Sequence, residues 1–152
     1  MGQVRMHAHV EAPVERVFDY AVDQNRWAEW NVSTVDVEAG GPLTAVGERF
    51  AGKNKFLGRV EPFTGEVIAF ERPRSFAFKT SPQSGGHENW TARFEPSGTG
   101  TDIDCVIDYE VGMGVLGAAA DKLFIERQVQ RMLDQSRDNF ISLMEHEVLV
   151  PA

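Results

Sequence analysis

The sequence predicts an α+β fold: an antiparallel sheet of about six to seven strands, covered on one face by a long C-terminal helix, with two short helices after the first strand. Three observations predict it. Near the N-terminus, Val4, Met6, Ala8 and Val10 alternate with Arg5, His7, His9 and Glu11, the period of two of a half-buried strand. Later, two alternating runs flank Pro96-Ser97-Gly98-Thr99-Gly100: Trp90, Ala92 and Phe94 within 87–95, then Ile103, Cys105, Ile107 and Tyr109 within 101–111. From Ile125 the period changes, and Val129, Met132, Leu133, Ser136, Phe140, Leu143 and Met144 recur at helical spacing.

The elements follow in chain order. Pro13 opens the first helix, because its fixed φ suits a first helical turn, and Val14, Val17, Phe18, Ala21 and Val22 form its apolar face. A second short helix carries Trp27 and Trp30. Extended segments are expected at 33–38, 47–60, 66–71 and 75–81. In the hairpin of 87–95 and 101–111 the outer phase holds Arg93, Glu95, Asp102, Asp104, Asp108 and Glu110. One face is therefore buried and one wet, as in a sheet covered on one side only. A helix over 118–147 would be about 45 Å long at 1.5 Å per residue, whereas a domain of this size is only about 38 Å across, so the helix must traverse the sheet. Its apolar stripe changes phase: Leu116, Ala120, Leu123 and Phe124 cluster roughly 140° from the later stripe. Deep burial of the first turns accounts for this; a bend near 125–128, a mobile lid or a dimer contact are the alternatives.

Composition bounds the rest. The chain has 152 residues, 42% of them hydrophobic, which suits one domain over 1–152 with a sizeable core. Fifteen Lys and Arg against 23 Asp and Glu leave a net charge of −8, which repels nucleic-acid backbones and anionic lipid. No apolar run approaches a membrane span, so no membrane insertion is expected. The single cysteine, Cys105, excludes an internal disulfide and fits a reducing compartment. Residues 1–10 contain no long apolar run of the signal-peptide kind, so a cytoplasmic location is expected.

The order strand, two helices, sheet, long helix carries a set of local phrases. Val10-Glu11-Ala12-Pro13-Val14-Glu15-Arg16-Val17-Phe18 leads from a strand into a helix, and Trp27 with Trp30-Asn31 marks the second helix. Val46-Gly47, Gly65-Glu66-Val67, Phe70-Glu71-Arg72-Pro73 and Gly100-Thr101 mark central and last strands, and 131–145 the last helix. In this order they resemble the helix-grip fold of the START/Bet v 1-like (SRPBCC) superfamily, most closely its polyketide cyclase/dehydrase-like branch. The resemblance implies a curved sheet wrapped around the long helix, with a pocket for an apolar ligand between them.

The residues support such a pocket independently. Phe50, Phe78, Trp90, Phe94, Ile107 and Tyr109 face inward opposite Met132, Leu133 and Phe140, with Trp30 alongside; rings of this size either pack as core or frame a cavity. Among inward polar groups, Ser136 either bonds back to the carbonyl four residues earlier or meets a ligand. Tyr109 is expected to place its ring in the core and its hydroxyl at the pocket or its rim. Glu88 shares the phase of Trp90, but its place near a strand end favours solvent exposure. In a dry pocket its pKa would rise and make it an acid or base. Tyr109, Ser136 and Glu88 are thus the catalytic candidates.

Other chemistry is weakly supported. His7 and His9 share a strand face opposite the apolar row, which reads as a solvated face rather than a metal site. Alternate strand carboxylates lie nearly 7 Å apart and do not converge on a cation, so Arg93 is their expected partner. No phosphate loop or nucleophile elbow is present, and neither cofactor nor metal is expected. Three functions are expected: binding or carriage of a small lipid, polyketide or aromatic in the pocket; or, as the resemblance implies, a cyclase/aromatase-type enzyme or a co-chaperone-like interaction domain using the helix face before Ile125. The protein is expected to be a monomer or homodimer.

Overall fold

The computed structural model describes residues 2–38, 40–113 and 121–149. Seven strands form one antiparallel sheet in the order β1-β7-β6-β5-β4-β3-β2. They are β1 (Gly2–Val10), β2 (Thr34–Val37), β3 (Arg49–Phe56), β4 (Arg59–Glu71), β5 (Ser75–Pro82), β6 (Gly86–Ser97) and β7 (Gly100–Val111). From β2 to β7 the chain meanders between neighbours, and β1 then lies beside β7. The sheet curls into a half-barrel around the long C-terminal helix, the helix-grip architecture. Two short helices, α1 (Val14–Ala21) and α2 (Trp27–Trp30), follow β1, and the long helix α3 spans Lys122–Leu149. Its 28 residues make it about 42 Å long.

Local chemistry explains these boundaries. Pro13 caps α1 in extended geometry, with φ −61° and ψ 145°. Asp23 starts a single 3-10 turn at Gln24–Arg26 by accepting from the Asn25 amide at 3.2 Å. Trp27 is buried, and its indole donates to the Ala21 carbonyl at 2.8 Å, locking α2 beneath α1. Arg72 grips Asp19 through two hydrogen bonds of 2.7 and 2.8 Å, tying the β4–β5 turn to α1.

Two sequence expectations need correction, and one irregularity adds to them. The segment 47–60 is not one strand: Leu57 and Gly58 both take positive φ, 50° and 79°, and turn the chain between β3 and β4. Two successive positive φ values match the right-handed twist of a hairpin. In the β6–β7 hairpin, Ser97 pairs with Gly100 and only Gly98-Thr99 form the turn. Within β4 a bulge falls between Val67 and Ala69. Phe63, Gly65 and Val67 point inward; the extra residue Ile68 shifts the phase so that Phe70, not Ala69, turns to the core. There Phe70 meets the edge of Phe18 at 5.4 Å between ring centres.

Helix α3 lays one row on the sheet: Ile125, Val129, Leu133, Ser136, Phe140 and Met144 are all buried. Deep burial of its first turn does not hold for the residues that are described. Leu123 and Phe124 are 51% and 43% exposed, whereas Leu116 and Ala120 lie outside the described residues. Among the described residues no helix is long and apolar enough to cross a membrane.

Candidate functional site

The inner sheet face carries a near-continuous aromatic floor. Phe94, Phe76, Phe78 and Trp90 stack in sequence with ring centres 5.8–5.9 Å apart. Trp27 of α2 stacks on Phe78 at 5.4 Å and meets the edge of Phe50 at 5.0 Å. Phe50 reaches this position because Gly65 lies opposite it on β4: a Cβ there would fall 2.2 Å from the Phe50 ring. At Gly52 a Cβ would fall 2.3 Å from the Asp36 carbonyl oxygen of β2 and 3.0 Å from the Phe63 ring. A glycine facing an aromatic across strands lets the ring lie flat against the backbone.

Between this floor and α3 a cavity of about 70 Å³ remains. A water needs roughly 10–15 Å³ by such a measure, so the space equals about five waters, less than a drug-sized guest requires. Rings must move to admit a larger molecule. A wider cleft of about 990 Å³ lies elsewhere, bordered by Tyr109, Glu110, Leu123 and Glu126. It is more polar, and Met113 and Lys122 also border it.

The structure brings Trp30, Phe50, Phe78, Trp90, Phe94, Leu133, Ser136 and Phe140 together around the cavity. It does not bring Ile107, Tyr109 or Met132 there. Ile107 is fully covered between its register neighbours Val4 and Trp90 and is plain core. Tyr109 lies opposite Gly2, whose added Cβ would fall 2.3 Å from the phenol ring, and it borders the second cleft instead. Burial first, then the charge of Glu126, pushes its phenol pKa up. Met132 sits half-buried on the flank of α3, within 3.9 Å of the Ser136 hydroxyl.

Two candidates behave differently from their sequence expectation. Glu88 is not a surface group. Its carboxyl lines the cavity, accepts a hydrogen bond from Trp90 Nε1 at 2.9 Å, and has its pKa raised by burial, with the indole bond opposing more weakly. By area the residue as a whole is half-buried. Ser136 does not bond back along its helix to a carbonyl; its Oγ accepts from the Val32 amide at 3.1 Å, pinning the α2–β2 loop to α3.

Sequence reasoning passed over several lining residues: Thr80 opposite Glu88, Asn54 on β3, and Phe63 and Phe76. Thr80 shares the period of Phe76 and Phe78, and Asn54 that of Phe50, so alternation alone carried the signal. Cys105 also lines the cavity, and burial pushes its thiol pKa up to about 12.

The outer face is solvated, as expected, with different partners. His7 bonds Asp104 at 2.9 Å; His9 bonds Asp102 at 2.7 Å and Glu11 at 2.5 Å; Gln3 donates to Asp108 at 2.7 Å. The carboxylates thus reach toward β1 rather than toward Arg93, which stands opposite Asp104 in register. The Asp102 bond, then the Glu11 bond, raises the His9 pKa. Among the described residues, no three His, Cys, Asp or Glu side chains are placed to hold a metal ion.

A half-barrel sheet holding a long helix over an apolar cavity defines a helix-grip domain. The family model described as "Polyketide cyclase / dehydrase and lipid transport" matches residues 1–145, and the chain belongs to that family, within the START/Bet v 1-like (SRPBCC) superfamily. Solved structures agree in fold. Protein CV1439 from Chromobacterium violaceum is 17% identical, with a TM-score of 0.74 over 94% of this chain and 97% of that one. Protein BH1534 from Bacillus halodurans is also 17% identical, with a TM-score of 0.70 over 95% and 98%. Ara h 8.0201, a Bet v 1-like protein, is 10% identical, with a TM-score of 0.69 over 94% and 97%. No curated protein matches the sequence.

Proposed function

We propose that this domain binds and carries a small hydrophobic ligand in the cavity between sheet and α3. The observation that carries the reading is an internal space walled by six aromatic rings of the sheet and by Leu133 and Phe140 of the helix, in a family whose description includes lipid transport. Apolar ligand surface buried there contributes about 25 cal/mol per Å², and a few polar groups fix orientation. Native mass spectrometry of protein purified from cells tests it. A co-purifying lipid-like or aromatic molecule is expected; a clean apoprotein with no thermal shift across a lipid and aromatic panel refutes it.

A second reading is a cyclase or dehydratase, favoured by one observation: Glu88 presents a desolvated carboxyl to the cavity. A carboxyl whose pKa burial raises can hand a proton to a bound carbonyl and take it back. Here Glu88→Gln would abolish turnover of an aromatic polyketide substrate while leaving its binding intact. Equal loss of binding, or unchanged turnover, removes this reading.

A further inference from the structure

The three tryptophans of the chain end in three different states. Trp27 Nε1 donates to the Ala21 carbonyl and Trp90 Nε1 to the Glu88 carboxyl, whereas Trp30 Nε1 is buried at the cavity wall with no partner among the described residues. Asn54 Oδ1 on β3, which lines the same cavity, is likewise buried and unpartnered. One is a donor lacking an acceptor, and the other an acceptor lacking a donor. A buried polar group left in this state costs stability unless something completes it. Both groups line the cavity beside its aromatic floor.

Charge narrows what can complete them. Glu88 faces the same space, and no cation contributes to its environment. Arg137 also borders the cavity, but its guanidinium is engaged by Asp138 at 3.0 Å and Asp134 at 3.6 Å. A ligand carboxylate would enter beside an acid and find no free counter-ion. A hydroxyl group accepts one hydrogen bond and donates another without adding charge.

Resting on the ligand-binding reading above, we infer that the cavity selects an uncharged, hydroxyl-bearing apolar molecule, whose oxygen accepts from Trp30 and whose proton goes to Asn54. These two residues are specificity determinants, distinct from the aromatic floor, which supplies affinity to any apolar guest.

The test uses three molecules of one shape: 2-naphthol, naphthalene and 2-naphthoate, each titrated into the full chain by calorimetry and by NMR of the indole N–H resonances. We expect 2-naphthol to bind at least about tenfold tighter than naphthalene, since the hydroxyl completes groups that naphthalene leaves orphaned, and 2-naphthoate to bind most weakly. The Trp30 indole resonance should move downfield with 2-naphthol and not with naphthalene; its loss in Trp30→Phe assigns it. In Trp30→Phe and in Asn54→Leu the preference for 2-naphthol should fall toward unity while naphthalene affinity is kept. Equal binding of 2-naphthol and naphthalene, tighter binding of 2-naphthoate, or a preference unmoved by both substitutions overturns this inference and leaves ligand binding standing. Failure of all three molecules to bind overturns the inference and counts against the ligand-binding reading as well.

Discussion

Leu133 is where packing and ligand binding can be separated. Its side chain is 1% exposed, at the middle of the buried row of α3, and it borders the cavity. Leu133→Ala removes three carbons; at ~0.8 kcal/mol each this is about 2.4 kcal/mol, and the unfilled space raises the loss to about 3 kcal/mol. For a domain of this length that lowers Tm by about 6–12 °C. The substitution also enlarges the cavity, so an apolar guest should bind the variant more tightly than the parent. A ligand at 100 times its Kd returns about 2.7 kcal/mol, nearly the whole loss. The assay is thermal unfolding with and without 2-naphthol, with Ile107→Ala as control, because Ile107 is equally buried but does not border the cavity. A loss below about 1 kcal/mol would show that the helix does not pack here. Equal ligand rescue of the two variants would show that the guest does not occupy this cavity.

Other outcomes follow from the same geometry. Glu88 has a folded pKa above its unfolded value, so between the two the folded state binds more protons, and stability falls as pH rises through that window, starting near 4.5. Glu88→Gln should therefore be more stable than the parent at pH 8 and match it near pH 4, read as Tm across pH; a constant difference contradicts this. Gly65→Ala drives a methyl into the Phe50 ring and should cost about 1–3 kcal/mol, with a changed near-ultraviolet circular dichroism from Trp27, which Phe50 touches. Cys105, buried and with its pKa pushed to about 12, should resist thiol reagents until the chain unfolds. Labelling within mixing time in native buffer would refute that placement.

The architecture was legible because sheet and helix write different periods. The β6–β7 pair and the α3 row could be read residue by residue, and the inward phase of Phe50, Phe78, Trp90 and Phe94 with them. What period alone does not encode is position along a strand. Ile107 and Tyr109 share the inward phase of Cys105, yet β7 runs about 40 Å, so its far end lies past the cavity. The bulge at Ile68 was invisible because a single extra residue leaves no compositional mark. Glu88 was misjudged on the general rarity of buried acids, although its phase with Trp90 placed it inside. For Ser136 the sequence offered a back-bond along its helix or a ligand contact, and its position on the stripe could not point to the Val32 amide, 104 residues away, that it accepts from.

The half-barrel is not closed, and an open sheet has two borders at which foreign strands can add. At one border β2 offers only four residues and carries a bulge between Thr34 and Asp36. At the other, β1 is guarded by α3: Gln130 donates to the Arg5 carbonyl at 2.9 Å, and Glu145 accepts from the Glu11 amide at 3.1 Å just past the strand end. The helix that holds the cavity therefore also shields the sheet against strand-by-strand polymerisation. A variant whose helix detaches would open its cavity and become prone to fibrils in the same event.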